Sequence, residues 1–210
     1  MIRVIIADDH PLIRDGLKKR IDAETDMNVT AEAQNADELL EMLGETECDV
    51  VLIDISMPGK SGLELIQEVR QWDQDIKFLV LSIHPEEQFA ARAIKSGANG
   101  YITKDSPPRE IIKAIHKIMD NRTYVSESFA ENLAMGLTKD PDKAPHDNLS
   151  DREFQILRLL GMGKTITGIA EELFLSQSSV NTYRRRILKK LNVETTAELI
   201  HYAIKNDLIE

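Results

Sequence analysis

The sequence predicts an α/β fold, a parallel sheet with helices on both faces, followed by a small all-α domain. Three observations predict it. Short apolar runs alternate with amphipathic patterns across residues 1–122. A polar stretch with two prolines, LTKDPDKAPHDN at 137–148, then breaks the pattern. Beyond it only helical periodicity remains, with no strand-like run. Alternation of strand and helix five times gives a parallel sheet whose ligands sit at the carboxyl ends of the strands.

Taken in order, the strands are VIIA (4–7), VTAEA (29–33), VVLI (50–53), FLVL (78–81) and GYI (100–102). Between them lie the helix patterns ADELLEML (36–43), SGLELIQEVRQ (61–71), EEQFAARAIKSG (86–97, closing on Gly97) and PREIIKAIHKIMD (108–120). SESFAENLAMG (126–136) reads as a short connecting helix, so the chain divides into 1–122, a connector at 123–148, and 149–210. In the last part Ser150 and Glu153 are spaced as a capping box, followed by an apolar face of Ile156, Leu157, Leu159 and Leu160. TITGIAEELFLSQSSVNTYRRRILKKLNV then gives a short helix, a turn at 174–176 and a longer helix capped by Ser176, a helix-turn-helix pattern. Val180, Tyr183, Ile187 and Leu191 face its core, which leaves Gln177, Asn181, Thr182, Arg185 and Lys189 on the other side. A final helix opens on a second capping box, Thr195 with Glu198, and exposes Leu199, Tyr202, Ala203 and Ile204.

A chain of 210 residues with 42% hydrophobic content can bury two cores. Its single cysteine, Cys48, excludes an intrachain disulfide, and no apolar run approaches the roughly 20 residues of a membrane helix. The N-terminus reaches Asp8 too early for a secretory segment, so the reading is a cytosolic protein without a membrane partner. The net charge of −10 argues against nucleic acid until its distribution is considered. Residues 1–125 hold 15 Lys and Arg against 23 Asp and Glu, whereas residues 148–210 hold 9 against 8. Only the last part can approach DNA comfortably, with RRR at 184–186 and KK at 189–190 concentrating its positive charge.

The stretch DVVLIDISMPGKSG (49–62) ends a buried strand on a charge. Alone, Asp54 reads as a turn cap. The other strand ends carry polar residues too: Asp8 and Asp9 after the first, Ser82 after the fourth, Lys104 beyond the fifth. Crowded carboxylates persist where a cation neutralises them, and an all-oxygen site suits Mg2+. Asp54 can then attack a phosphoryl group, with the cation and Lys104 neutralising the charge that develops and Ser82 donating to a phosphoryl oxygen.

DD at 8 and 9, D54 followed by SMPGKSG, S82 and K104 together resemble the receiver domain of two-component response regulators, over roughly residues 1–122. The resemblance implies a flavodoxin-like (βα)5 fold, with Asp54 as phosphoacceptor, Asp9 as a direct Mg2+ ligand and Asp8 as its supporting acid. It further implies Ser56 as a ligand through its carbonyl and Tyr101 as an aromatic switch that follows Ser82. The chain departs from many receivers after Lys104, where Asp105 stands in place of proline.

LSDRE, IAEELFLS and SVNTYRRRILKKLNV resemble the LuxR-type helix-turn-helix, across about 149–210. Arg with Asn on one helix face suits guanine and adenine edges, and the resemblance assigns base reading to Asn181, Thr182 and Arg185. Phosphate contacts fall to Lys164, Thr165, Ser178, Ser179, Arg184, Arg186 and Lys189. Two departures stand out: Ile166, Thr167 and Gly168 replace the family's usual Asn, polar residue and Glu, and Asn181 replaces a common Lys. Gly168 inside a helix costs roughly 1 kcal/mol against Ala.

Together these features imply a response regulator of the NarL/FixJ kind, itself not an enzyme beyond its own phosphorylation and dephosphorylation. Its partners would be a sensor histidine kinase, double-stranded DNA carrying an inverted repeat, a second copy of the chain when phosphorylated, and RNA polymerase. Two rivals compete with it. A Mg2+-dependent aspartyl-phosphate phosphatase would want a second Asp where Ser56 stands. A DNA-binding regulator independent of phosphorylation would not need the full acidic, hydroxyl and lysine set.

Overall fold

The structure is a computed structural model that describes residues 1–58, 60–134, 144–206, 208 and 209. It divides into two compact units, Met1–Ala134 and Met135–Glu210.

In the first unit β1 (Ile2–Ala7), β2 (Met27–Ala33), β3 (Val50–Asp54), β4 (Lys77–Ser82) and β5 (Gly100–Thr103) form a parallel sheet of order β2-β1-β3-β4-β5. The helices between them are α1 (Pro11–Ile21), α2 (Ala36–Glu45), α3 (Gly62–Val69), α4 (Glu86–Lys95) and α5 (Pro108–Met119). Every residue of β3 is buried, which is why that strand reads as an unbroken apolar run. The strand order reverses between β1 and β3, and ligand sites of open α/β sheets lie at such a point. Register completes the placement. Ala7 pairs with Ile53, so Asp8 follows beside Asp54, while Asp54 pairs with Leu81 and Ser82 with Thr103.

The breaks after Asp54 have a steric cause. A Cβ at Gly62 would lie 2.3 Å from the Asp54 carbonyl oxygen, so only glycine lets the chain at residue 62 come back against the strand end, where its amide donates to Ile55 O at 3.1 Å. Ser61 and Glu64 then form a reciprocal capping box that starts α3, a signal the sequence reading passed over. Helix α1 also went unnamed. Leu12 is 86% exposed and a charge, Arg14, takes a place on the buried stripe with Leu17 and Ile21, so its apolar face is thin. Gly97 closes α4 at a φ of +101°, as its position implied.

After α5 the chain turns back along the edge of the sheet. Tyr124 forms a parallel bridge with Gly100, its carbonyl accepts from Tyr101 N at 2.9 Å, and its amide donates to Asn99 O at 3.0 Å. The connecting helix α6 (Glu127–Ala134) follows, with Ser126 Oγ accepting from Phe129 N. Residues 135 and 136 of the expected helix, and 137–143 of the expected linker, lie outside the described residues, as does Gly59.

The described part of the second unit opens with a 3-10 turn (Pro145–Asn148) where the sequence suggested linker, then α7 (Asp151–Gly161), α8 (Ile166–Glu172), α9 (Gln177–Leu191) and α10 (Thr196–Lys205). The Ser150–Glu153 capping box is present, and Ser176 caps α9. Gly168 is tolerated because it sits in the first turn of α8, where its amide donates to Thr165 Oγ1 at 3.1 Å.

Helix α10 corrects two expectations. Leu199 and Ala203 are not exposed: both are completely buried, because this face packs on α7 and α9 to close the unit's core. Tyr202 is half-buried, its hydroxyl 2.9 Å from His146 Nδ1, and only Ile204 stands out, 57% exposed. The second capping box is half formed. Thr195 accepts from Glu198 N, but the Glu198 carboxylate caps Glu194 N instead.

Candidate functional site

The carboxyl edge of the sheet gathers the predicted charges. Lys104 Nζ lies 2.7 Å from Asp8 Oδ2 and 2.7 Å from Asp54 Oδ2. Asp54 Oδ1 accepts from Ser56 N at 3.1 Å, and Asp8 Oδ1 accepts from His10 N at 2.9 Å. The Asp9 carboxylate reaches His10 Nδ1 at 2.7 Å. Asp8 and Asp54 are 1% and 2% exposed, so these charges meet in low dielectric.

Two carboxylates, Asp8 and Asp54, share one ammonium here, with Asp9 beside His10. Burial pushes the Asp54 carboxyl above its usual pKa, Lys104 pulls it back, and Asp8 pushes the same way as burial. Burial works against the Lys104 charge, but Asp54 and Asp8 outweigh it and hold the ammonium above its ordinary pKa. Lys104 therefore stays protonated. Asp8 Oδ2 and Asp9 Oδ1 are buried and accept no well-oriented hydrogen bond, though the Lys104 ammonium lies close to the first and the His10 ring to the second. Asp8, Asp9, His10 and Asp54 each offer one ligand atom, and these atoms all lie within 4.8 Å of one another. Carboxylate oxygens short of donors, with negative charge to spare, fit a hard divalent cation such as Mg2+.

The polar residues around this cluster form a connected path. Ser82 Oγ is fully buried and accepts from His84 N at 3.1 Å. The Tyr101 hydroxyl donates to His84 O at 2.8 Å, with its ring 1% exposed. The His84 ring stacks on Phe89 at 4.5 Å and lies 3.3 Å from Ser56 Oγ. Ser82 and Tyr101 thus meet through one backbone residue. His84, His10 and Arg14 were missed by the sequence reading. His84 meets Ser82 and Tyr101 through its backbone, which leaves no residue pattern to find.

In the second unit, α9 presents Gln177, Ser178, Thr182, Arg185, Arg186 and Lys189 as exposed, with Asn181, Ser179 and Arg184 half-buried. Asn181 Nδ2 donates to Gln177 O, Thr182 Oγ1 to Ser178 O and Arg185 Nε to Asn181 O, each one turn back. Arg186 lies over the Tyr183 ring at 5.8 Å. Thr165 caps α8, and Lys164 pairs with Glu172. The buried Arg152 was not foreseen: it donates to Gln155 Oε1 at 2.8 Å and to Leu173 O at 2.9 Å, just before the turn. At that turn Phe174 takes a left-handed φ of +52°.

Known families match both units. The response regulator receiver domain matches residues 4–116, and the bacterial regulatory proteins of the luxR family match residues 147–203. The chain belongs to the two-component response regulators that carry a LuxR-type DNA-binding domain. Among its relatives, the response regulator UvrY of Escherichia coli K12 is 33% identical over 209 residues, covering 99% of this chain and 96% of UvrY. The response regulator GacA of Pseudomonas viridiflava is 35% identical over 212 residues, covering 100% of this chain and 99% of GacA. Among solved structures, RcsB of Salmonella typhimurium matches with a TM-score of 0.59 at 26% identity, covering 96% of this chain and 97% of RcsB. An RcsB–DNA complex matches equally, at 26% identity and a TM-score of 0.59, covering 96% of each chain. Among the described residues no helix is long and apolar enough to cross a membrane.

Proposed function

We propose that Asp54 accepts a phosphoryl group from a sensor histidine kinase, and that this modification promotes dimerisation and sequence-specific binding to DNA. The observation that carries the reading is Lys104 Nζ at 2.7 Å from both Asp54 and Asp8, at the point where the strand order reverses. Asp9, Asp54 and the Ser56 carbonyl would hold Mg2+, with Asp8 supporting. When bound, the cation neutralises charge on the phosphoryl oxygens. Asp54 forms the new O–P bond as the donor's bond to phosphorus breaks, and Lys104 offsets the charge that remains. Ser82 then turns its hydroxyl from His84 N towards a phosphoryl oxygen. That change loosens the loop whose carbonyl holds the Tyr101 hydroxyl, and the face of α4 follows.

The division into 1–122, 123–148 and 149–210 follows from this reading, with the connector carrying the state of the first part to the last. In the last part Asn181, Thr182 and Arg185 read base edges, while Lys164, Thr165, Ser178, Ser179, Arg184, Arg186 and Lys189 hold phosphates. The RcsB–DNA complex supports this reading, as does the exposure of Thr182 and Arg185 on α9. Two-fold pairing requires inverted half-sites. With Leu199 and Ala203 buried, any pairing through α10 uses its outer residues, such as Ile204 and His201. Intact-protein mass after treatment with acetyl phosphate and Mg2+ tests the first step. A gain of one phosphoryl group, absent in Asp54→Asn, is expected; the same gain in that variant contradicts the assignment.

A further inference from the structure

Arg14 is 9% exposed, yet it stands on the buried stripe of α1 where an apolar residue would fill the space. A guanidinium cannot shed its charge, so burying it is costly unless its donors are satisfied. Its short bond is not to a carboxylate. Nη1 donates to the Asp8 carbonyl oxygen at 2.6 Å, while Glu32, 3.8 Å from Nε, is already paired with Lys18 at 2.6 Å. The Asp8 amide donates to Ala33 O at 3.1 Å. Asp8 is therefore pinned at both its backbone polar groups, one side by β2 and the other by α1.

From this we infer that Arg14 is a positioning residue for the divalent cation, an inference that rests on the Mg2+ reading above. The Asp8 carbonyl belongs to the planar peptide that ends at Asp9 N. Fixing that carbonyl fixes the direction in which Asp9 leaves the strand, and so the relation between two carboxylates that would otherwise repel each other apart. The β1 end alone cannot do this, because strand pairing ends at Ala7. Residues that hold a metal ligand at one remove commonly change affinity 10–100-fold when lost.

The test uses the full chain and two variants, Arg14→Met, which keeps an apolar stem, and Arg14→Lys, which keeps a donor. Thermal midpoint is followed against Mg2+ concentration, and Asp54 phosphorylation by acetyl phosphate is followed over the same range. In Arg14→Met the half-saturating Mg2+ concentration should rise about 10-fold or more by both readouts, with the phosphorylation rate at saturating Mg2+ kept within about twofold. Arg14→Lys should recover part of the shift. A lowered metal-free midpoint with unchanged half-saturation overturns the inference, since Arg14 then only fastens α1. A Lys variant as impaired as the Met variant overturns the role of the hydrogen bond. Absence of any Mg2+ response in the unsubstituted protein overturns the cation reading itself, and this inference with it.

Discussion

Asp54 is a buried anion that shares one ammonium with Asp8, so its charge is a cost to the folded state until a cation arrives. Because the folded protein binds the Asp54 proton more tightly than the unfolded chain does, stability falls as pH rises from the ordinary carboxylate value of 3.8 through the raised one. Asp54→Asn removes that dependence. In metal-free buffer at neutral pH it should raise the melting temperature by a few degrees, since about 1 kcal/mol shifts a unit of this size by roughly 4 °C. Scanning calorimetry at several pH values checks this, and the gap between variant and parent should narrow as pH falls. On α9, Arg185 and Lys189 are both exposed but differ in expected use. Arg185→Ala should lower affinity for a preferred site by roughly 1–3 kcal/mol and relax one base pair, whereas Lys189→Ala should weaken all sequences alike and flatten the salt slope. Binding titrations on matched and altered sites separate the two.

At the level of elements, the edge pairing of residue 124 ties the connector to β5, and it depends on a missing side chain. A Cβ at Gly100 would meet the Tyr124 carbonyl oxygen and Leu79 Cδ1, each at 2.9 Å. Gly100→Ala should therefore displace the 123–126 segment and speed hydrogen exchange at the amides of Tyr101 and Tyr124, while β1 and β3 keep their protection. In the second unit Arg152 ties α7 to the carbonyl that precedes the turn. Arg152→Ala should destabilise that unit by roughly 2–4 kcal/mol in urea unfolding, because charged, buried hydrogen bonds are lost together. The strands and the charges at their ends were legible in the sequence, since a run such as VVLI has one use in a parallel sheet and Asp54 stands at its end. Helix α1 was not, because Arg14 on its inner stripe masks the apolar period. The outer face of α10 was misread for a related reason: Leu199 and Ala203 carry the spacing of an amphipathic helix, which shows a face but not what covers it. His84 acts through its backbone as much as its ring, and no residue pattern encodes that.

For the molecule as a whole, charge sets the problem that phosphorylation would solve. Net charge is −10, with nearly balanced charge after residue 148, so one copy offers few phosphate contacts at physiological salt. Adding a phosphoryl group makes the chain more negative still, so any gain in DNA affinity must come from conformation and from pairing of two copies. Pairing doubles the contacts and steepens the salt dependence. The most direct measurement is therefore the affinity of the full chain for DNA with an inverted repeat, at fixed salt, with and without phosphorylation verified by mass, alongside Asp54→Asn under the same treatment. Phosphorylation should tighten binding of the parent at least tenfold and shift its sedimentation to a dimer, with Asp54→Asn unresponsive. Equal affinity and equal sedimentation of the phosphorylated and unphosphorylated parent would contradict the account.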